Sequence, residues 1–131
     1  MTRILIIDDD TQLCATLREA LEREGYDVVE AHDGREGLQR YQEAPTAVMI
    51  TDILMPEQEG LETIMALRRV DPQGKIIAIS GGGQTGRLDF LHLAMLLGVQ
   101  RTLRKPFRLQ ELTAAVRELM QGKNDSLCPA L

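Results

Sequence analysis

Acidic, hydroxyl and basic side chains follow four separate strand-like runs in this sequence. Asp8 and Asp9 come directly after an apolar run, and Asp52 follows a second one. Ser80 ends a third run, and Lys105 follows a fourth. In open α/β sheets, ligands bind at the edge where the carboxyl ends of the strands meet. The sequence therefore predicts a polar site that combines three carboxylates, a hydroxyl and an amine.

The carboxylates of Asp8, Asp9 and Asp52 are the oxygen ligands that Mg²⁺ prefers in proteins. Carboxylates that lie close together raise each other's pKa, so a bound cation stabilises such a cluster. The alternative is a loop of solvated aspartates that caps the following helix, and we expect no more than that of Asp10. The hydroxyl and the amine predicted at the same edge favour the metal site.

Asp52 is the candidate nucleophile, because a carboxylate can attack a phosphoryl group and form an aspartyl-phosphate. The transferred group carries its charge on its equatorial oxygens and needs a cation, a positive side chain and a hydrogen-bond donor around it. Mg²⁺ would supply the first, Lys105 the second and the Ser80 hydroxyl the third. The simpler alternatives are a helix-capping Asp52, a surface Lys105 and a Ser80 that bonds to its own loop.

The hydrophobic pattern predicts five strands that alternate with five helices. Such alternation is typical of an α/β fold with a parallel sheet and right-handed crossovers. In the flavodoxin-like, doubly wound (βα)5 arrangement the strand order is 2-1-3-4-5, which brings the four site-bearing strands together. The predicted strands cover residues 4–7, 26–31, 47–51, 75–79 and 100–103.

The length of 131 residues suits a single domain with one core. We expect a domain over residues 1–122 and a short polar tail over residues 123–131. The net charge of −5 argues against nucleic acid as a direct partner. No apolar run is long enough to span a membrane, and no signal peptide precedes the first strand. Cys14 and Cys128 match no metal-binding spacing, so we expect a cytoplasmic protein with reduced thiols.

The glycine-rich stretch after Ser80 resembles two nucleotide-binding motifs without matching either. Gly81, Gly83 and Gly86 fit the dinucleotide pattern, but no acidic residue follows at the end of the next strand to hold a ribose. Arg87 and the residue after it replace the Lys-Ser/Thr pair that a phosphate-binding P-loop requires. No nucleotide cofactor is therefore expected.

Over residues 3–120 the chain resembles the receiver (response regulator) family of two-component signalling. No single motif is specific, but their order and approximate spacing together carry the resemblance. The matching residues are Asp8-Asp9, Asp52 with Met55-Pro56 and Gly60, Ser80, and Lys105-Pro106-Phe107.

The resemblance implies a ligand set for Mg²⁺. Asp9 and Asp52 would bind the ion directly, the main-chain carbonyl of Leu54 would complete the protein's share, and Asp8 would act through water. Asp52 would take a phosphoryl group from the phosphohistidine of a histidine kinase or a histidine phosphotransfer protein. The chain would then signal to a protein partner by a conformational change, or act as a phosphorelay intermediate. Its chemistry would be limited to self-catalysed acceptance and slow hydrolysis.

Two alternatives remain open at this level. The run from Asp8 to Thr11 is similar to the nucleophile motif of haloacid-dehalogenase-type phosphatases, with the threonine one place early. A small Mg²⁺-dependent phosphohydrolase built from the same carboxylates is therefore one alternative. The other is that the chain is a receiver fragment of a longer regulator.

Receiver domains commonly have Tyr or Phe three residues before the lysine, where this chain has Thr102. A threonine cannot swing a ring into space vacated by Ser80, so we do not expect the usual aromatic switch here. The resemblance also implies a cis peptide bond between Lys105 and Pro106.

The fourth helix is too apolar for one buried face. At 3.6 residues per turn its apolar positions form two stripes, of which only one can face the sheet. We expect the other stripe to contact a second copy of the chain or a target protein. The alternative is a thicker core, in which neighbouring helices cover this stripe. The inward stripe is Phe90, Leu91, Ala94 and Leu97, and the outward stripe is Leu88, His92, Met95 and Leu96.

Overall fold

The computed structural model of the chain describes residues 2–53, 59–80 and 90–122, in which five strands alternate with five helices. The predicted tail and the predicted ligand Leu54 lie outside the described residues. The strands are β1 (Arg3–Ile7), β2 (Asp27–Ala31), β3 (Val48–Asp52), β4 (Ile76–Ser80) and β5 (Arg101–Arg104). The helices are α1 (Thr11–Arg23), α2 (Gly34–Glu43), α3 (Glu59–Val70), α4 (Phe90–Leu96) and α5 (Leu109–Met120).

All four strand pairings are parallel, and the order is β2-β1-β3-β4-β5, which confirms the predicted doubly wound fold. Every residue of β3 and β4 is buried. Strands covered by helices on both faces bury both sets of side chains, and this explains why each sequence is a continuous apolar run until it nears the carboxyl end of the strand.

The core has two layers, one on each face of the sheet. Alternate residues of a strand point to opposite faces, so Ile4 and Ile6 join one layer while Leu5 and Ile7 join the other. The first layer contains the buried residues of α1 and α5, and the second contains those of α2, α3 and α4. Helices thus cover both faces of the sheet, so polar side chains at the ends of its strands are the ones that solvent and ligands can reach.

The predicted ends of β3, β4 and β5 each fall one residue short of the observed ones. β3 continues to Asp52 and β4 to Ser80, because Asp52 pairs with Ile79 and Ser80 pairs with Arg104 on the next strand. Pairing partners on a neighbouring strand extend a strand past the end of its apolar run. The two site residues are therefore held in the sheet itself and not in the loops beyond it.

Asp10 is the N-cap of α1, as predicted. Its carboxylate accepts hydrogen bonds from the backbone N–H groups of Gln12, at 3.0 Å, and Leu13, at 3.1 Å. Such caps satisfy backbone donors that have no partner within the helix. Asp10 is thereby committed to the helix, while the two aspartates before it are available to the site.

Arg68 of α3 joins three backbone segments at the end of the sheet opposite the strand carboxyl ends. Its guanidinium donates hydrogen bonds to the carbonyl oxygens of Gly74, at 2.6 Å, Leu97, at 3.1 Å, and Gly98, at 2.6 Å. Only a planar fork of donors can reach several carbonyls at once. Arg68 thus ties α3 to the turns before β4 and after α4.

Within the described residues, no helix has both the length and the hydropathy that crossing a bilayer requires.

We expect Arg68→Met to lower the free energy of unfolding by about 2 to 3 kcal/mol, because it leaves several part-buried carbonyls without their charged donor. Urea unfolding followed by circular dichroism measures the change. Arg69→Met, at the exposed neighbouring position, is the matched control and should change stability little. Equal stabilities of the two variants would contradict the role assigned to Arg68.

Candidate phosphoryl-acceptor site

The predicted acidic residues converge at the carboxyl edge of the sheet. β1 pairs with β3 so that Ile7 lies opposite Thr51, and this register places Asp8 beside Asp52. Asp8, Asp9 and Asp52 each offer a carboxylate oxygen, and these oxygens lie within 4.8 Å of one another. The fold therefore creates the oxygen-only cluster that the sequence predicts.

Lys105 lies over the same cluster. Its Nζ is 3.8 Å from Oδ2 of Asp52 and 3.9 Å from Oδ2 of Asp8. These separations exceed hydrogen-bond length, so the ammonium group acts on both carboxylates through its charge. The peptide bond between Lys105 and Pro106 is cis, as the resemblance implies.

Ser80 is fully buried at the end of β4. Its neighbour Ile79 pairs with Asp52, and its own carbonyl accepts a hydrogen bond from the backbone N–H of Lys105 at 2.8 Å. The three residues that the sequence assigned to phosphoryl transfer thus sit on adjacent backbones. Leu54, the predicted carbonyl ligand, lies outside the described residues.

Burial of the acidic cluster lowers the stability of the folded protein, because charged carboxylates lose their hydration. Asp8 is 2% exposed and Asp52 5%, whereas Asp9 lies at the exposed rim. Oδ1 of Asp8 accepts a hydrogen bond from the backbone N–H of Asp10 at 2.9 Å. Oδ2 of Asp8 is buried and, within the described part of the chain, has no hydrogen-bond partner. A buried carboxylate oxygen left without a donor is destabilising, and a divalent cation beside it would remove that cost.

The pKa of Asp8 is raised from 3.8 to about 6. Burial is the largest cause, and the charges of Asp52 and Asp9 raise it further, while the hydrogen bond from Asp10 and the charge of Lys105 lower it. Without a cation Asp8 therefore takes up a proton at a higher pH than a solvated aspartate does, although it stays mostly ionised at pH 7. Three carboxylates, one with a buried oxygen lacking a donor, form a donor set that fits Mg²⁺.

Gly60, which the resemblance places behind the acceptor aspartate, lies where α3 begins. A Cβ atom at this position would overlap the Cα atom of Ile53 and the backbone oxygen of Asp52. Only glycine allows the helix to approach the end of β3 this closely. Gly60 is therefore a positioning residue for the backbone that carries Asp52.

Thr102 lies on β5 opposite Ala78 and is half buried. The position that commonly holds a switching aromatic ring thus carries a short side chain on the edge strand.

One neighbour of the site went unrecognised in the sequence. The thiol of Cys14 donates to the backbone oxygen of Asp8 at 3.4 Å. Cys14 shares the buried face of α1 with Leu17 and Leu21, at helical spacing. That periodicity could have placed the thiol beneath the loop after β1.

A model of the response regulator receiver domain family matches residues 4–117. The chain belongs to this family. The transcriptional regulatory protein CpxR of Escherichia coli (strain K12) is 33% identical over an aligned length of 139 residues. The alignment covers 100% of this chain and 58% of CpxR. The chemotaxis protein CheY of Thermotoga maritima is 31% identical over 118 residues, covering 89% of this chain and 96% of CheY.

A crystal structure of a response regulator receiver domain protein from Clostridium thermocellum superimposes with a TM-score of 0.84. It is 31% identical and covers 94% of this chain and 97% of that one. The chain spans little more than half the length of the CpxR relatives it matches, and nearly all of CheY. Membership of this receiver family does not favour the phosphohydrolase alternative.

We expect Asp8→Asn to stabilise the cation-free receiver domain at pH 7 by about 2 to 3 kcal/mol. A group whose pKa is raised on folding stabilises the protein when protonated. This contribution is complete below pH 3.8 and is lost as the pH rises through about 6. Asparagine stays neutral and keeps the acceptor for the N–H of Asp10. The advantage of the variant should therefore shrink as the pH falls towards 4.

Urea unfolding between pH 4 and pH 7, with and without Mg²⁺, measures this effect. Added Mg²⁺ should stabilise the wild type more than the variant. Asp33→Asn is the control, because Asp33 caps α2 and asparagine caps equally well. A variant less stable than the wild type at pH 7 without cations would contradict the electrostatic account of the site.

Proposed function

We propose that Asp52 of this receiver domain accepts a phosphoryl group from the phosphohistidine of a histidine kinase or a histidine phosphotransfer protein. The observation that carries the proposal is the position of its buried carboxylate, 3.8 Å from Nζ of Lys105 and within 4.8 Å of two further carboxylates. Such an arrangement combines a nucleophile with the positive charge and the cation-binding oxygens that phosphoryl transfer requires.

In the proposed reaction a carboxylate oxygen of Asp52 attacks phosphorus. The new P–O bond forms as the P–N bond to the donor imidazole breaks, and that nitrogen keeps the bonding electron pair. The ammonium group of Lys105 stabilises the charge on the phosphoryl oxygens. The hydroxyl of Ser80 donates a hydrogen bond to one of them, since β4 ends beside β3.

Asp9 and Asp52 would hold Mg²⁺ together with the carbonyl of Leu54, and Asp8 would act through water. When bound, the ion supplies positive charge to the phosphoryl oxygens and relieves repulsion between the carboxylates. The buried Oδ2 of Asp8, with no hydrogen-bond partner in the described structure, supports this assignment.

The phosphorylated domain would return to its resting state by hydrolysis of the aspartyl-phosphate. Water attacks phosphorus, the aspartyl C–O–P linkage breaks at the P–O bond, and inorganic phosphate leaves the restored carboxylate. We propose that both steps are self-catalysed and that hydrolysis is slow, so the phosphorylated form lasts long enough to signal. A cytoplasmic location, where Cys14 would stay a free thiol, agrees with this role.

We expect Asp52→Asn to abolish phosphorylation, because asparagine keeps the shape of the side chain but has no nucleophilic carboxylate. The assay is incubation with acetyl phosphate and Mg²⁺ followed by intact mass. The wild type and Asp33→Asn should each gain one phosphoryl group. Full labelling of Asp52→Asn at the wild-type rate would show that another residue is the acceptor.

The outward face of α4 is the proposed partner-binding surface. Met95 is 40% exposed and Leu96 70%, and His92 is also exposed. Ala94 is fully buried, and Leu97 packs against the core. The exposure of these residues agrees with the predicted division into two stripes and so supports the proposal. Leu88 and the side chains of residues 90 and 91 lie outside the described part of the chain.

Exposed apolar residues grouped on one helix favour an interaction surface, and methionine adapts readily to a partner. We propose that phosphorylation alters the contact of this surface with a second copy of the chain or with a target protein. In receivers generally this side of the fold, with the fifth strand and last helix, has that role.

We expect the double substitution Met95→Glu and Leu96→Glu to weaken phosphorylation-dependent association at least tenfold while leaving phosphorylation at Asp52 intact. Sedimentation velocity of the acetyl-phosphate-treated protein, alone and with a candidate partner, measures association. The matched control is Met65→Glu with Val70→Glu, since both residues are exposed apolar positions on α3. Unfolding of the α4 variant would show that its stripe belongs to the core.

A further inference from the structure

Three side chains of different ligand types meet beside the acidic cluster. Cys14 lies on α1, Glu30 lies on β2, and His32 directly follows β2. A sulfur, a carboxylate oxygen and an imidazole nitrogen of these residues lie within 4.8 Å of one another. Their spacing along the chain matches no metal motif, because the fold and not a local motif brings the thiol to the other two.

We propose that Cys14, Glu30 and His32 bind one Zn²⁺ ion. Sulfur and imidazole nitrogen are ligands that Zn²⁺ prefers and Mg²⁺ does not. The set therefore differs in kind from the oxygen-only cluster of Asp8, Asp9 and Asp52. In a tetrahedral site with metal–ligand distances of about 2.0 to 2.3 Å the ligand atoms are about 3.3 to 3.8 Å apart, so a bound ion would draw the three atoms, now within 4.8 Å, closer together.

The carboxylate of Glu30 is divided between two neighbours. Its Oε2 accepts a hydrogen bond from Arg18 at 3.0 Å, while its Oε1 lies 3.6 Å from Nε2 of His32. Arg18 thus fixes one oxygen and turns the other towards the imidazole, where a cation can bridge them. The backbone N–H of His32 donates to Glu36 at 2.9 Å, which anchors the residue that carries the ring. Outer partners of this kind orient the ligands of metal sites.

Cys14 forms the floor of the proposed site and its two partners form the rim. Cys14 is fully buried, whereas the side chains of Glu30 and His32 are 20% and 43% exposed. The ion therefore has access from solvent on the side of the imidazole. The thiol makes a long, weak hydrogen bond to the backbone oxygen of Asp8, which a sulfur–metal bond can replace. Three protein ligands leave a fourth position for water.

The surroundings of the thiol argue against a redox role for it. Burial, together with the smaller effects of the charges of Asp8, Glu30, Asp10 and Asp9, raises the pKa of Cys14 to about 12. Thiolates are the reactive form of cysteine, so this buried thiol is a poor target for oxidation or disulfide exchange. A bound Zn²⁺ would displace the thiol proton and supply the positive charge that stabilises the thiolate, and the proposal stands on the proximity of the thiol to an imidazole and a carboxylate.

The chain offers a matched control for two of the three ligands, since it has two cysteines and two histidines. In a Cys128→Ser background Cys14 is the remaining cysteine thiol. Equilibrium dialysis with Zn²⁺, in excess Mg²⁺ to fill the acidic cluster, measures stoichiometry and affinity. Co²⁺ in place of Zn²⁺ gives a thiolate-to-metal charge-transfer band that reports sulfur ligation directly.

We expect one Zn²⁺ per chain and a charge-transfer band in the background protein and in His92→Gln. Cys14→Ser should abolish the band. Both Cys14→Ser and His32→Gln should lower the Zn²⁺ affinity by more than about 100-fold, beyond the usual effect of removing an outer partner. Circular dichroism checks that each variant is folded, and His32→Gln still tests the site if the buried Cys14→Ser variant does not fold.

Absence of Zn²⁺ binding in the background protein would overturn the proposal. Undiminished affinity in His32→Gln would also overturn it, as would an equal loss in His92→Gln. Zn²⁺ binding without a charge-transfer band from Co²⁺ would also overturn it, because the ion would then be bound without the sulfur of Cys14.

Discussion

The structure has to accommodate the repulsion between two buried carboxylates, those of Asp8 and Asp52. Pairing of β1 with β3 places Asp8 beside Asp52, and both are almost completely removed from water. Like charges in such a setting oppose folding unless positive charge is brought to them. The central strands are buried throughout and are apolar up to their carboxyl ends, and their burial supplies the stability that holds the two acids together.

The positive charge that offsets this repulsion belongs to Lys105, which follows the edge strand β5. Two strands, β4 and β3, separate β5 from β1 in the sheet order. Lys105 is bonded through its backbone to Ser80 at the end of β4. Its ammonium group stays nearly 4 Å from each carboxylate and makes a hydrogen bond to neither. Among the described residues, one positive charge faces three carboxylates, and a divalent cation can neutralise the negative charge that is left. The excess of negative charge therefore favours binding of a cation at this site.

The sequence predicted the sheet well because its central strands are buried on both faces. Continuous apolar runs marked β3 and β4, and the strand order then predicted the convergence of Asp8, Asp52 and Lys105. The strand ends were harder to predict, since the pairing of Ser80 with Arg104 depends on a neighbouring strand. A hydrophobic pattern along one segment carries no information about the hydrogen-bond partners of its last residue.

Contacts to backbone atoms and between distant elements could not be predicted for the same reason. Arg68 reaches carbonyl oxygens, which every residue has, so nothing in the sequence distinguishes its partners. In the sequence alone, Glu30 and His32 are ordinary polar residues at the end of a predicted strand. Their relation to Cys14 appears only when α1 has packed against β2.

The segment after β1 connects the two clusters of ligands. The backbone N–H of Asp8 donates to the carbonyl of Ala31 at the end of β2, at 3.0 Å, and its carbonyl accepts from the thiol of Cys14. Its side chain, in contrast, points to Asp52 and Lys105. One residue therefore touches an oxygen-only cluster through its carboxylate and a sulfur-containing cluster through its backbone. Hard and soft cations prefer different ligands, so two sites this close need not compete for the same ion.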